Sequence, residues 1–158
     1  MQFQIARGVQ QIPQRDLLYR SKEYSFDMEP PPARNFTSVL IDDLNIEIDD
    51  SGRVVSIWGL CPYTRWKDAT LMPPSADVGT LLVNSGSPLA RGVSMQVNRD
   101  KYLPTFVDRH SGWIKIEARK AQGSAVMVFP GVIFEIDDHG DFCALWLKPK
   151  MQVSQGRV

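Results

Sequence analysis

The sequence predicts an all-β protein, mainly antiparallel and with little helix. Three observations carry this. No segment sustains the apolar period of a helix, whereas many short segments alternate or are apolar throughout. Turn signals built on Gly, Pro and Asp separate those segments. One phrase also occurs twice, EIDDSGRVVSIWGL at 47–60 and EIDDHGDFCALWLK at 135–148. A sandwich, an open barrel or a bent sheet built from hairpins satisfies all three.

Taken in order, MQFQIA alternates Phe3 and Ile5 with glutamines, as a short strand does. Residues 15–28 admit a short helix or an extended segment in which Tyr24 and Phe26 alternate. Pro30, Pro31 and Pro32 then interrupt any regular structure, because proline lacks the N–H and fixes φ. Residues 1–33 are therefore expected as an N-terminal arm and 34–158 as a single β domain.

The repeated phrase marks two similar hairpins, 44–60 and 132–148. In the first, Leu44, Ile46 and Ile48 alternate with Asn45, Glu47 and Asp49. Asp49 and Gly52, like Asp137 and Gly140, have the spacing of a turn whose Asp accepts backbone N–H bonds and whose Gly adopts positive φ. The strands that follow, VVSIWGL and FCALWL, read as interior and covered on both faces. The likeness fits a duplication as well as it fits two hairpins constrained by one turn.

Residues 61–79 hold three prolines and no clean period, and form the longest irregular stretch. TLLVN and GVSMQVN are strands about the turn SGSPLARG. YLPTFVD and WIKIEA flank a third turn, RHSG, and Pro130-Gly131 bends the strand entering the second hairpin. The tail from Pro149 is polar and expected to fray.

Composition bounds function. At 158 residues the chain has the length of one domain, and its 43% apolar content is enough for a core without metal or disulfides. The formal net charge of zero disfavours a nucleic-acid binder. No apolar run reaches the length of a membrane span, and the N-terminus lacks the pattern of a secretory signal. Cys61 and Cys143 are then expected as reduced thiols of a cytoplasmic protein, with a disulfide between them as the minor alternative.

No catalytic motif emerges. Asp42, Asp43, Glu47, Asp49 and Asp50 crowd together, as do Asp137, Asp138 and Asp141 beside His139, but without EF-hand spacing. Turn chemistry explains them better than a metal, and no metal or cofactor is expected. His110 and His139 both stand just before turn glycines, and Ser85 lacks a nucleophile elbow. Cys143 reads as an inert core thiol, and Cys61 has only Arg65 and Lys67 near it to lower its pKa.

The strongest binding signal is PYTRWK, 62–67. Tyr63, Arg65 and Trp66 are residue types that anchor interfaces, and here they share a loop; the competing reading folds Trp66 back onto the sheet. The segment 99–120 mixes Arg99, Lys101, Arg109, Lys115, Arg119 and Lys120 with Tyr102, Phe106 and Trp113, the composition of a single-strand nucleic-acid groove. The leading expectation is a non-enzymatic soluble binding protein that meets another protein through Tyr63, Arg65 and Trp66; an inhibitor or immunity-type protein fits. Double replacement of Tyr63 and Trp66 by Ala is expected to spare the fold and abolish association. The alternatives are a single-stranded nucleic-acid binder using 99–120 and an enzyme or small-molecule pocket formed by the 61–79 loop.

Overall fold

A computed structural model describes residues 1–8, 13–32, 37–84, 86, 94–98, 100–120 and 123–152. Those residues are mostly β, with 54% of them in strands and 5% in short helical turns. Among the described residues the first sheet has seven strands. In spatial order they are β10 (Ser94–Gln96), β4 (Thr37–Ile41), β5 (Leu44–Ile48), β6 (Val54–Leu60), β3 (Ser25–Glu29), β2 (Asp16–Arg20) and β16 (Lys150–Gln152). The second sheet, also of seven, runs β8 (Asp77–Val78), β13 (Ser124–Phe129), β14 (Val132–Ile136), β15 (Phe142–Leu147), β12 (Ile114–Glu117), β11 (Thr105–Val107) and β7 (Lys67–Asp68). β1 (Gln2–Ala6) and β9 (Thr80–Asn84) pair separately.

The two orders correspond strand for strand. Each sheet centres on one of the two similar hairpins, and only its outermost strand at either end pairs in parallel. The parallel strand β7, next in sequence after the first hairpin, lies in the second sheet beside β11. Conversely β16, which follows the second hairpin, lies in the first sheet beside β2.

One core joins both sheets. It packs Tyr19, Phe26, Ile46 and Ile57 from the first with Val107, Ile114, Phe134 and Leu145 from the second. Phe3, Leu17 and Met28 belong to the same core, and β3 bonds to β6. The expected arm at 1–33 is thus corrected: burying its apolar side chains needs the sheets, and its strands complete them. Residues 15–28 are a hairpin, β2 and β3, closed by a 3-10 turn at Ser21–Glu23 in which Tyr24 takes positive φ. Of the tail, Lys150–Gln152 form β16 instead of fraying; Val153 onward, and the expected turn at 85–92 apart from Gly86, lie outside the described residues.

The repeated turns are built alike. Gly52 N–H donates to Asp49 O at 3.0 Å, and Gly140 N–H to Asp137 O at 3.0 Å. Both glycines have positive φ, +88° and +83°. Asp49 Oδ1 accepts from Ser51 N and Arg53 N, and Asp137 Oδ1 from His139 N and Asp141 N. Just beyond, each hairpin carries a register shift, at Glu47/Ile48 and Glu135/Ile136. Each turn also docks outward: Val83 N donates to Gly52 O at 2.8 Å, and Phe3 N to Gly140 O at 2.7 Å. Phe3 and Val83 are themselves register partners in the β1–β9 pair.

The expectation that both second strands are covered on both faces holds for β15 alone, which is buried throughout. Leu71 and Ala76, from the long loop, pack with Trp113 over Ile133 and Trp146. Among the described residues β6 has no such cover, and Trp58 is 44% exposed where the corresponding Trp146 is 4% exposed. Both indoles nevertheless donate to the corresponding acid, Trp58 to Glu47 and Trp146 to Glu135.

The turn carboxylates make stability acid-sensitive. Backbone donation, from Leu71 above all, lowers the Asp108 carboxyl; donation from Asp141 does the same for Asp137. At Asp49 partial burial pushes upward, but bonds from Ser51 and Arg53 outweigh it and the net shift is down. A folded-state pKa below the unfolded value of about 3.9 gives stability that is fully present above that value and lost as pH falls through the folded pKa. Replacing Asp49, Asp108 and Asp137 together with Asn keeps acceptors and removes charge. The variant is expected to lose stability at neutral pH and to show a flatter dependence between about pH 4 and pH 2. Urea midpoints across that range check it; a slope equal to that of the wild type refutes the assignment.

Candidate functional site

The 61–66 loop is fixed from beneath by a residue the sequence reading passed over. Tyr19 is fully buried, and its hydroxyl donates to Cys61 O at 2.8 Å while accepting from Tyr63 N at 3.0 Å. Burial, the largest influence, pushes its phenol pKa well up, so it stays a neutral donor. Cys61 N–H donates to Tyr24 O at 2.7 Å. A 3-10 turn at Tyr63–Arg65 follows, closed by Arg65 N–H to Pro62 O at 3.0 Å and Trp66 N–H to Tyr63 O at 3.1 Å. β7 then returns the chain to the second sheet. The corresponding connection from β15 to β16 spans only Lys148 and Pro149, so the 3-10 turn belongs to the first hairpin alone.

The three residues predicted as partner contacts are together but unequal. Tyr63 and Arg65 are exposed, whereas Trp66 is half-buried. Trp66 packs on Tyr19 at 4.8 Å and on Phe26 at 6.4 Å between ring centroids. The competing reading, Trp66 folded back onto the sheet, describes this packing. Tyr63 leans on Tyr24, 5.5 Å away, and the Arg65 guanidinium lies 3.7 Å above the Tyr102 ring. Leu60 projects from the end of β6, and with Tyr24, Tyr63 and Tyr102 it is more than 40% exposed.

Below Arg65 and Tyr102 lies a cavity of about 250 Å³ between the two sheets. Buried Ile41, Leu44 and Ile116 line its inner part, and Asp42, Asp43 and Cys61 its side. Asp42 and Asp43 form the two-residue turn between β4 and β5, with Asp42 at φ +53°. No Gly or Asn announces that turn, so the sequence reading placed these acids only in a cluster. Asp42 accepts from Asn98 Nδ2 at 2.8 Å and Leu103 N at 3.1 Å. Burial raises its carboxyl above the usual range despite those bonds. Asp43 pairs with Lys101 at 3.0 Å.

Cys61 is not an activated thiol. Burial first, then the neighbouring Asp42 charge, push it to about 11 against the partial opposition of Trp66 and Arg65. The neutral form dominates at pH 7, and only the thiolate attacks or ligates. Cys143 is buried, and both cysteines are free. His110 and His139 are exposed, and their backbone N–H groups serve turn aspartates. Ser85 lies outside the described residues. Among the described residues no three His, Cys, Asp or Glu side chains are grouped to hold a metal ion.

In the 99–120 segment Lys101, Arg109, Lys115 and Arg119 pair with Asp43, Asp68, Glu117 and Asp137. Arg99 lies outside the described residues. Trp113 packs against Trp146 at 6.2 Å instead of offering a stacking face. Among the described residues no helix is long and apolar enough to cross a membrane. No protein-family model matches the chain, and no curated protein is similar to it.

Proposed function

We propose that the protein is a binding module without catalysis, and that a protein partner docks on the end of the molecule where Tyr63 and Arg65 stand. One observation carries this: Tyr24, Leu60, Tyr63, Arg65 and Tyr102 form an exposed cluster already ordered by ring and cation contacts. Tyrosine and arginine anchors held in place before contact lose little entropy on binding. Trp66 acts here as the post under the loop. The neutral Cys61 thiol and the exposed histidines give an enzymatic reading no nucleophile or base. The paired bases of 99–120 give a nucleic-acid reading no open basic stripe. Two free cysteines accord with a reducing, cytoplasmic setting. The matching strand orders of the sheets further support descent of the two halves from one duplicated unit.

The test is differential capture from cells. Tyr63→Ala with Arg65→Ala should reduce recovery of the partner at least about tenfold, as loss of two interface anchors does. Met72→Ala, at a residue 84% exposed on the far part of the loop, serves as the control and should leave recovery unchanged. Equal recovery by the double variant and the wild type would remove the reading.

A further inference from the structure

We propose that the outer face of the first sheet about Trp58 takes up an extended, proline-bearing segment of the protein partner. This rests on the reading of the Tyr63 end as a docking surface and names the part of the partner that docks there. The molecule supplies the precedent itself. On the second sheet Trp146 is covered by Leu71 and Ala76, the two ends of a segment that carries Pro73 and Pro74 half-buried at its middle. Residues 71–76 belong to no helix, turn or strand, so they lie on the indole without sheet pairing. The first sheet holds its matching indole in the same way, Trp58 donating to Glu47 as Trp146 does to Glu135. Yet Trp58 is 44% exposed, and among the described residues no such segment lies over it.

The two faces differ in chemistry, and the difference selects the occupant. Asn45 stands opposite Trp58 where Ile133 stands opposite Trp146, and Ser56 takes the place of Ala144. A wholly apolar segment would leave that polar floor without partners. A polyproline II segment suits it: its rings pack on an aromatic face, and its carbonyls have no internal bonds and accept from outside. Asn45 Oδ1 already accepts from Ser38 Oγ at 3.1 Å, so its amide has N–H groups to offer. The face also runs on into the exposed cluster. Leu60, two residues beyond Trp58 on β6, is 53% exposed and pairs with Ser25, the neighbour of Tyr24. Tyr24 and Tyr63, 5.5 Å apart, add two exposed rings with hydroxyl donors. Two strand residues span about 7 Å and polyproline II advances about 3 Å per residue, so about five residues reach from Trp58 past Leu60 to Tyr24.

Acetylated decaproline amide is a suitable probe, followed at neutral pH by the ¹H–¹⁵N signals of the indoles. Trp113 and Trp146, packed with the 71–76 segment, act as internal references. A saturable shift at Trp58 that spares both references is expected, with a Kd on the order of 0.1 mM for one short segment. A Gly-Ser peptide of the same length should bind at least about tenfold more weakly, because it brings no rings and no preformed extended shape. Trp58→Ala, read at the Leu60 amide, should weaken decaproline at least about tenfold. Leu60→Ser keeps the indole as reporter and should weaken it about fivefold. Absence of a saturable Trp58 shift, or equal binding of the Gly-Ser peptide, overturns the proposal. So does a Trp58 signal that responds to maltoheptaose and not to decaproline, which marks a saccharide platform, or one that moves with protein concentration alone, which marks a second copy as the occupant. If any of these occurs while Tyr63→Ala with Arg65→Ala still loses the partner, the docking surface stands and only the proline-bearing segment falls.

Discussion

Gly140→Val is expected to lower the free energy of unfolding by roughly 3 kcal/mol, and Gly52→Val by a similar amount, since a left-handed backbone alone costs an L-residue about 1–2 kcal/mol and a steric clash adds to it. Both glycines have φ near +85°, at +83° and +88°, where β-branched residues are least tolerated. Space is lacking as well. A Cβ at Gly140 would stand 2.7 Å from Phe3 O, and one at Gly52 would stand 2.9 Å from Val83 O. Neither neighbour yields easily, because Phe3 and Val83 are backbone partners in β1–β9 and each also donates to the glycine that confines it. The urea midpoint should fall with little change in slope. A loss below about 1 kcal/mol for both variants would mean that the turns relax freely and do not clamp that pair.

Trp66→Ala is expected to cost about 3 kcal/mol, at the lower end for a large aromatic because the ring is half-buried. Truncation empties the space against Tyr19 and Phe26, both buried in the core. Tyr63→Ala is expected to cost less than about 1 kcal/mol, because its exposed ring contributes surface while its backbone holds the turn. The sequence-based expectation that Tyr63 and Trp66 are jointly dispensable for folding is therefore revised: the double variant is expected to lose stability, and that loss is assigned to Trp66. Thermal and urea unfolding of the two single variants check the division. Equal stability losses would contradict it.

What the sequence discloses here is what is local. Asp49 and Gly52 need only each other's spacing to form their turn, and the same holds for Asp137 and Gly140. Alternation in Leu44–Ile48 needs only a core on one side. The rest depends on partners distant in the chain. Trp58 and Trp146 stand in matching phrases and bond matching glutamates, yet only Trp146 is covered, because Leu71 and Ala76 arrive from elsewhere. The arm was misread for the same reason: Leu17 and Met28 alternate weakly in sequence, and their burial depends on a sheet formed by later residues. Tyr19, which holds the candidate loop, gives no signal beyond being an aromatic residue in a strand. Tyr63, Arg65 and Trp66 were legible only as a group on one loop, since a proline-flanked stretch with no apolar period gives large side chains few places in a core; the sequence offered Trp66 folded back as the competing reading and did not separate it from the other two.

The exchange of β7 and β16 between the sheets bears on how the chain is made. As it leaves the ribosome, the first hairpin emerges early with β2, but the edge that β16 supplies beside β2 is still to be synthesised. The second sheet meanwhile holds β7, made before all six of its other strands. Neither sheet therefore closes on its own schedule, and the first stays open at Leu18–Arg20 until Lys150–Gln152 arrive. Such distant pairings slow folding and leave an unpaired strand exposed in the nascent chain. Once made, they bind the two halves into a single cooperative unit, so that melting one sheet strips an edge from the other.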